Sequence, residues 1–519
     1  MAYAAEWPVR TGGHVSRALA DARSCPRVTG DALLRELSGA LSFDEVLSLL
    51  QEDVKRWRAN PKLATGLLSS LAKHRLPEAA RQVLSVMLAS RVEVNVFHYS
   101  AAISASSKCG QWELALHILS SMPARGVTPN EISYSACMSA CEKGGQWQWA
   151  LSLLRDMPVM RTVPNQISYN AAISACEKGA QWVVALRLLA EMPGVRVRAD
   201  EISYNAAISS CEKGFQWQLA LSLLSNMPGE SLRPNEISYS ASISACEKAH
   251  QWQLALSLLS SMPNIRVIPN EVTYSAAISA CRKEGQWQCA LGLLSEMPEV
   301  RLTPNVVSFS ACMSTCATGG QWQLALHLLS TMPAVRLVPN EISCSAAISA
   351  CEKGGQWQVA LVLLRTMPDM RVVPDEISYN AAISACEQAA KWQLALMLFS
   401  SMPGSKLLAN DVTYNAVISA CSAGGRWQLA LGILGEMQAA GVRPDKLSYS
   451  AAMSACSKCG QWQQSLSLLS HMEATTVTPD EISRSAAVSA CETGGMWLSV
   501  MELLNNIQLD AAVFLKIPT

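Results

Sequence analysis

The chain has 519 residues, half of them apolar, and its 41 basic residues balance 41 acidic ones. A net charge of zero gives no electrostatic support for a nucleic-acid partner, so such a function has to depend on local charge. No apolar run approaches the length that spans a bilayer, which argues against a membrane-spanning protein and predicts no membrane partner.

Residues 1–25 form an N-terminal segment that precedes any regular pattern. Residues 1–30 contain four arginines, two acidic residues and several alanines. This composition resembles that of an organelle transit peptide, which would direct the protein to a chloroplast or a mitochondrion. A frayed N-terminal helix, in a cytoplasmic protein, explains the same composition.

Residues 26–95 are predicted to be degenerate repeats or an N-terminal cap. Residues 61–95 fit the 35-residue frame of the following segment poorly, because Pro77 stands where a tryptophan is expected. Residues 26–60 are either a further degenerate unit or a helical cap over the first regular repeat.

Residues 96–515 are predicted to consist of twelve repeats of 35 residues, followed by a C-terminal tail at 516–519. Tryptophan recurs at this spacing without a break, at Trp112, Trp147, Trp182, Trp217, Trp252, Trp287, Trp322, Trp357, Trp392, Trp427, Trp462 and Trp497. Such a period marks a repeat array, in which each unit buries its apolar face against its neighbours. Functional residues are therefore expected on the surface that the stacked units share.

Each unit is predicted to be a helical hairpin, as residues 131–165 illustrate. A first helix of about twelve residues ends at a Gly-Gly pair, because glycine tolerates the left-handed conformation of a helix cap. A second helix begins near Trp147 and carries leucines at the spacing of an apolar stripe. Pro158 disfavours its continuation, and Asn165 is placed to cap the next first helix. Stacked hairpins of this kind form an all-α solenoid.

The cysteines follow the repeat rather than a disulfide framework. Eleven of the eighteen recur every 35 residues, from Cys141 to Cys491, which is typical of buried packing residues in a reducing compartment. Cys456 and Cys459 form a CxxC pair, but no second pair stands at zinc spacing. We therefore predict no metal site and no cofactor.

The repeat resembles that of the pentatricopeptide repeat family. The resemblance rests on the 35-residue period, on first helices such as ISYNAAISACEKG at residues 167–179, on second helices such as ALSLLSNMP, and on the Pro-Asn or Pro-Asp close. It covers about twelve units and implies a right-handed superhelical α-solenoid. It also implies sequence-specific binding of single-stranded RNA, one base per repeat, in organelle RNA processing, stability, editing or translation. The expected protein is a monomer, with other RNA-processing proteins as further partners.

In that family, two side chains of each unit recognise the base: the fifth residue and the last residue. The fifth residues are Ser100, Ser135, Asn170, Asn205, Ser240, Ser275, Ser310, Ser345, Asn380, Asn415, Ser450 and Ser485. The last residues are Asn130, Asn165, Asp200, Asn235, Asn270, Asn305, Asn340, Asp375, Asn410, Asp445 and Asp480. The twelfth unit would end at Leu515, which departs from the pattern and is expected to recognise no base.

These residue types suit the chemistry of the bases. Uracil and guanine present an N–H on the Watson–Crick edge, which a carboxylate can accept, whereas adenine and cytosine present a ring nitrogen, to which an asparagine NH₂ can donate. A short serine at the fifth place leaves room for a purine, and a longer asparagine reaches a pyrimidine. An apolar second residue, such as Ile132, would pack against the base. Together the pairs predict the target 5′-A-A-U-(C/U)-A-A-A-G-(C/U)-U-G-3′, with the first repeat at the 5′ end.

Helix capping alone would also explain Asn or Asp as the last residue of each unit. It does not explain why the fifth place admits only serine and asparagine, or why both combine with Asn and Asp at the close. Varying pairs on a constant scaffold favour base recognition, and capping is compatible with it.

Local positive charge comes from a lysine just before the glycine break in eight units. In the family this place faces the phosphates; a solvated helix end is the alternative, since a cation also suits the helix dipole. These lysines are Lys108, Lys143, Lys178, Lys213, Lys248, Lys283, Lys353 and Lys458.

No catalytic constellation is found, so the chain is predicted not to be an enzyme. His471 and Glu473 form an H-x-E motif, but the downstream CxxC of a zinc deaminase is missing. The alternative functions are a protein-binding α-solenoid scaffold and a recently amplified array with little selected function. In a peptide-binding groove the fifth residues should vary in size and charge. In this chain they are only serine and asparagine.

Overall fold

The computed structural model describes Leu37 and residues 43–405, 407–475 and 477–493. Within them every regular element is a helix. The predictions for residues 1–25 and 516–519, and for Trp497 and Leu515, concern residues outside the described ranges. The chain divides into two compact units, Met1–Gly214 and Phe215–Thr519, so the division falls inside the fourth repeat. The predicted all-α array of helical hairpins is confirmed.

Repeats are numbered here from residue 96, and each begins with a first helix. The first helices are Val96–Cys109, Glu131–Lys143, Gln166–Lys178, Glu201–Lys213, Glu236–Lys248, Glu271–Ala280, Val306–Thr318, Glu341–Lys353, Glu376–Gln388, Asp411–Ala423, Lys446–Lys458 and Glu481–Thr493. The second helices are Trp112–Ala124, Trp147–Val159, Trp182–Glu191, Trp217–Asn226, Trp252–Ser261, Trp287–Glu299, Trp322–Thr331, Trp357–Thr366, Trp392–Ser401, Trp427–Ala439 and Trp462–Ala474.

From residue 43 onward, four helices precede the first repeat. They are Phe43–Leu49, Gln51–Ala59, Lys62–Lys73 and Pro77–Ala89. The last two form a pair like that of a regular repeat, and Pro77 begins the second helix, as the tryptophans do in the regular repeats. Proline suits this position because the first N–H groups of a helix have no partner within it.

Small and flexible apolar side chains form the core between helices. In repeat 2, Cys137, Met138 and Cys141 of the first helix are fully buried, together with Ala150 and Met157 of the second. Within each unit, first helices pack against neighbouring first helices and against their own second helices. Neither helix would be stable alone at this length, so the stacking stabilises both.

The two glycines that separate the helices serve different purposes. Gly145 has φ +68°, in the left-handed region that favours glycine, and ends the first helix. Gly144 has an ordinary φ of −79°. A Cβ atom there would collide with the indole of Trp112 in the preceding repeat. The repeating tryptophan therefore packs against the break of the next repeat.

The proline near the end of the second helix does not stop it in every repeat. In repeat 2 the helix runs to Val159, one residue beyond Pro158, so the proline lies within its last turn. A proline in the last turn removes a single N–H and leaves the following bonds intact, as in the bond from Met160 N to Asp156 O at 3.1 Å. Elsewhere a short 3₁₀ turn follows the helix, at Met192–Val195, Met227–Glu230, Pro263–Ile265, Pro333–Val335 and Pro403–Ser405.

Candidate nucleic-acid interface

The last residue of each repeat caps the first helix of the next. All eleven predicted residues, Asn130 to Asp480, accept a hydrogen bond through Oδ1 from the backbone N–H three residues on, at 2.8–3.1 Å. An amide nitrogen cannot accept, so an asparagine must turn its oxygen towards the helix. Its NH₂ group then lies outside the cap, whereas an aspartate leaves a second acceptor oxygen there. Capping therefore leaves one polar group of each of these side chains directed away from the helix.

In repeats 3, 9 and 10 the predicted pair is joined directly. Asn170 Nδ2 donates to Asp200 Oδ1 and Oδ2 at 3.0 and 3.1 Å in repeat 3. The corresponding bonds in repeats 9 and 10 run from Asn380 to Asn410 at 3.4 Å and from Asn415 to Asp445 at 3.1 Å. The fifth and last residues thus lie side by side although 30 residues separate them.

In each of these pairs a hydroxyl group of the next repeat donates a hydrogen bond to the side-chain oxygen of the fifth-place asparagine. Ser203 Oγ donates to Asn170 Oδ1 at 2.5 Å, and Ser448 Oγ donates to Asn415 Oδ1 at 2.6 Å. Burial tends to raise the pKa of Asp445, but hydrogen bonds from Ser448 and Asn415 outweigh it and hold that pKa below its usual value. Asp445 is therefore a carboxylate at neutral pH, able only to accept.

The serines at the fifth place are mostly buried. Ser135, Ser310, Ser345 and Ser450 are 4–8% exposed, as are Ser100 and Ser275, while Ser240 is half-buried and Ser485 is exposed. The hydroxyls of six of them donate to a backbone carbonyl one turn earlier, at 2.7–3.1 Å. A serine here supplies space beside the last residue, and where its hydroxyl donates in this way the oxygen keeps acceptor capacity only. Its assignment to base recognition stays a prediction.

An apolar side chain is exposed at the second place of every repeat. These side chains are 53–62% exposed and comprise Phe97, Ile132, Ile167, Ile202, Ile237, Val272, Val307, Ile342, Ile377, Val412, Leu447 and Ile482. Residues three apart on a helix share a face, so each lies next to the fifth residue. A regular row of exposed apolar groups beside a polar row is unusual for a surface without a ligand.

Seven of the eight lysines before the break are exposed, and Lys248 is half-buried. Some of these lysines contact an acidic side chain or a backbone carbonyl of the preceding repeat. Lys178 Nζ lies 3.2 Å from Glu142 Oε1, and Lys213 Nζ lies 3.0 Å from Glu177 Oε1. Lys458 Nζ donates to Ser422 O at 3.1 Å. Contact of these lysines with phosphate stays a prediction, and a phosphate would have to compete with the glutamates.

Two glutamates at the position of Glu142 and Glu177 are followed by a repeat that lacks the lysine before its break. Glu352 and Glu387 are followed, one repeat later, by Gln388 and Ala423. Burial raises the pKa of both carboxyl groups. Because repeats 9 and 10 have Gln388 and Ala423 in place of the lysine, the edge that carries the lysines is less basic there.

The sequence prediction missed the first residue of the repeat. Glu131 Oε2 accepts a hydrogen bond from Asn165 Nδ2 at 3.5 Å, and Glu376 Oε2 accepts one from Asn410 Nδ2 at 3.4 Å. Glu236 accepts the same bond from the amide of Asn270. A signal was present, because glutamate opens seven of the twelve repeats.

The recurring cysteines are packing residues. Cys176, Cys211 and Cys246 are fully buried. Burial raises the pKa of each to about 11, so they remain thiols at neutral pH. Among the described residues, no group of three His, Cys, Asp or Glu side chains could hold a metal ion. The search of the same residues for a helix long and apolar enough to cross a bilayer found none.

Comparisons with known proteins give consistent results. A family model described as the pentacotripeptide-repeat region of PRORP matches residues 198–376 and 345–512. Models described as PPR repeat family and PPR repeat match residues 94–143 and 132–161. No curated protein matches the chain.

Among solved structures, the pentatricopeptide repeat protein PPR10 from maize is 18% identical, with 93% of this chain and 84% of that chain covered and a TM-score of 0.58. PPR10 in complex with an 18-nt psaJ RNA element is 21% identical, with 92% and 67% covered and a TM-score of 0.44. Yeast Rmd9p in complex with a 16-nt target RNA is 8% identical, with 75% and 88% covered and a TM-score of 0.39. The first of these likenesses supports a shared fold.

Proposed function

The chain belongs to the pentatricopeptide repeat family, and from this premise we propose that it binds single-stranded RNA sequence-specifically, one base per repeat. It acts by binding rather than by catalysis, in RNA processing, stability, editing or translation within a chloroplast or a mitochondrion. It binds as a monomer, and other RNA-processing proteins are its further partners.

One observation carries this proposal. In each of repeats 1–11 an exposed apolar side chain at the second place accompanies a polar last residue whose outward group is an NH₂ or a carboxylate oxygen. A base has an apolar face and a polar edge, so this combination suits both at once. The outward group then decides between adenine or cytosine and uracil or guanine.

The experiment is a selection from random single-stranded RNA with the full chain, followed by binding titrations. We expect enrichment of 5′-A-A-U-(C/U)-A-A-A-G-(C/U)-U-G-3′. Binding should be at least about tenfold weaker when each of the four central bases is changed from purine to pyrimidine or from pyrimidine to purine. Enrichment of no sequence at physiological ionic strength would contradict the proposal and favour a protein-binding scaffold.

A further inference from the structure

The glutamate that opens many repeats lies beside the predicted base-recognition pair. Its carboxylate accepts from the NH₂ of the last asparagine in repeats 2, 5 and 9, through Glu131, Glu236 and Glu376. The asparagine oxygen is already bonded in the cap, so the amide can face this side only with its nitrogen. One of its two hydrogens goes to the glutamate, and the other remains for a ligand.

The first and last residues of the repeats are matched in type. Five of the seven repeats that close with asparagine begin with glutamate: Glu131, Glu201, Glu236, Glu271 and Glu376. Of the four repeats that close with aspartate, one begins with glutamate, and the others begin with Gln166, Asp411 and Lys446. Lysine and glutamine can donate a hydrogen bond, which glutamate cannot.

This matching corresponds to the two halves of a Watson–Crick edge. Adenine and cytosine carry an acceptor ring nitrogen next to an amino donor, and an asparagine NH₂ beside a carboxylate presents donor and acceptor in the same order. Guanine and uracil carry an N–H donor next to a carbonyl oxygen. An aspartate beside Lys446 or Gln166 presents the complementary acceptor and donor, and a glutamate there would repel the carbonyl oxygen.

We propose that, in the eleven repeats that close with asparagine or aspartate, the first residue is a further specificity-determining residue, which recognises the exocyclic group of the base while the last residue recognises the ring nitrogen. This inference rests on the proposed function. It assigns to glutamate the rejection of guanine and uracil in repeats that close with asparagine. Asp411 and Glu341, each beside an aspartate, should make repeats 10 and 8 less discriminating than repeats 3 and 11.

The chain contains its own comparison. Repeats 2 and 7 have the same fifth and last residues, Ser135 with Asn165 and Ser310 with Asn340, but repeat 7 begins with Val306. Both are predicted to bind adenine. The inference requires the preference for adenine over guanine to be stronger at base 2 than at base 7.

The test uses the full chain and the predicted 11-nucleotide RNA, with each of the four bases at position 2 or position 7, measured by fluorescence anisotropy. Glu131→Val should lower the preference for adenine over guanine at base 2 by roughly three- to tenfold, because one hydrogen bond and one repulsion are lost. Val306→Glu should raise that preference at base 7 by a similar factor. Neither change should alter the preference at the other base.

Glu481→Val is the matched control. It removes the same charge from the start of repeat 12, whose last residue is a leucine. It should change overall affinity at most, and leave both base preferences as they are. Thermal melts of all three variants check that the array remains folded.

The outcomes separate the two proposals. Adenine preferences that are equal in the wild type at bases 2 and 7, and unchanged in both variants, would overturn the role of the first residue while leaving RNA recognition intact. Failure of the wild type to distinguish bases at any position would overturn both. A change in Glu481→Val equal to that in Glu131→Val would reduce the effect to net charge and overturn the inference.

Discussion

At the scale of single residues, the last position of repeats 1–11 carries a side chain with two polar groups, one of which caps the next helix. Oδ1 of Asn165 caps the next helix, at 3.0 Å from Ser168 N, and its Nδ2 lies outside the cap. Aspartate caps equally well, as Asp200 does at 2.9 Å. Exchange between these two residue types therefore changes the outward group with little effect on stability.

Asp375→Asn should consequently change the base preference of repeat 8. The outward acceptor oxygen becomes an NH₂ donor, so the preferred eighth base should shift from guanine towards adenine. The thermal midpoint should stay nearly constant, because Asn caps the other repeats with the same geometry. Binding titrations with the four variants of the eighth base measure the shift, and an unchanged preference would argue against recognition by the last residue.

At the scale of the helical hairpin, the break between the two helices depends on backbone conformation. In repeats 1–11 the break contains one left-handed residue, which is glycine at Gly355 (φ +66°) but alanine at Ala390 (φ +53°). Residues with a Cβ atom are disfavoured in this region. The repeats with alanine therefore hold a less favourable conformation than the repeats with glycine.

Ala390→Gly should stabilise the array by about 0.5–1 kcal/mol, and Gly355→Ala should destabilise it by a similar amount. A Cβ at position 355 meets no atom within 4 Å, so the second change tests conformation without a steric clash. Urea denaturation followed by circular dichroism should show midpoints that move in opposite directions. Midpoints that move in the same direction would mean that packing, rather than φ, controls this position.

At the scale of the whole chain, basic and acidic residues balance in number, and some of them also pair between adjacent repeats, as Lys178 with Glu142 and Lys213 with Glu177 do. Eight phosphate contacts would give a log-log salt dependence of RNA binding of about −6, from roughly −0.7 per contact. Lys178 and Lys213 are already in ion pairs, so RNA must displace a carboxylate to use them. The proposed binding should therefore depend on salt less steeply than the lysine count suggests.

The double variant Glu142→Gln, Glu177→Gln should bind the predicted RNA more tightly at low salt, and the gain should fade as salt rises. The control is Glu113→Gln, Glu230→Gln, which changes the net charge equally at exposed sites on other elements. Anisotropy titrations between about 50 and about 300 mM salt, which span the physiological value, compare the two double variants. Equal gains in both variants would assign the effect to net charge alone.

The hairpin array follows from the amino-acid sequence alone. The period places Trp147, the Gly-Gly break and the cap at Asn165 in positions that the structure confirms, because helix ends depend on residues close together in the chain. The family and the positions of the fifth and last residues also followed from the sequence. The course of the second helix past Pro158 did not, since the effect of a proline depends on which turn it occupies.

Which atoms of neighbouring repeats meet depends on the tertiary packing. Asn170 contacts Asp200 across 30 residues, Asn165 contacts Glu131 across 34, and Lys178 contacts Glu142 across 36. All three separations lie near the repeat length of 35 residues. The period is compatible with many such pairs and does not predict which of them form. The selection follows from how the first helices pack side by side, which also buries the serine hydroxyls and leaves the second-place apolar groups exposed.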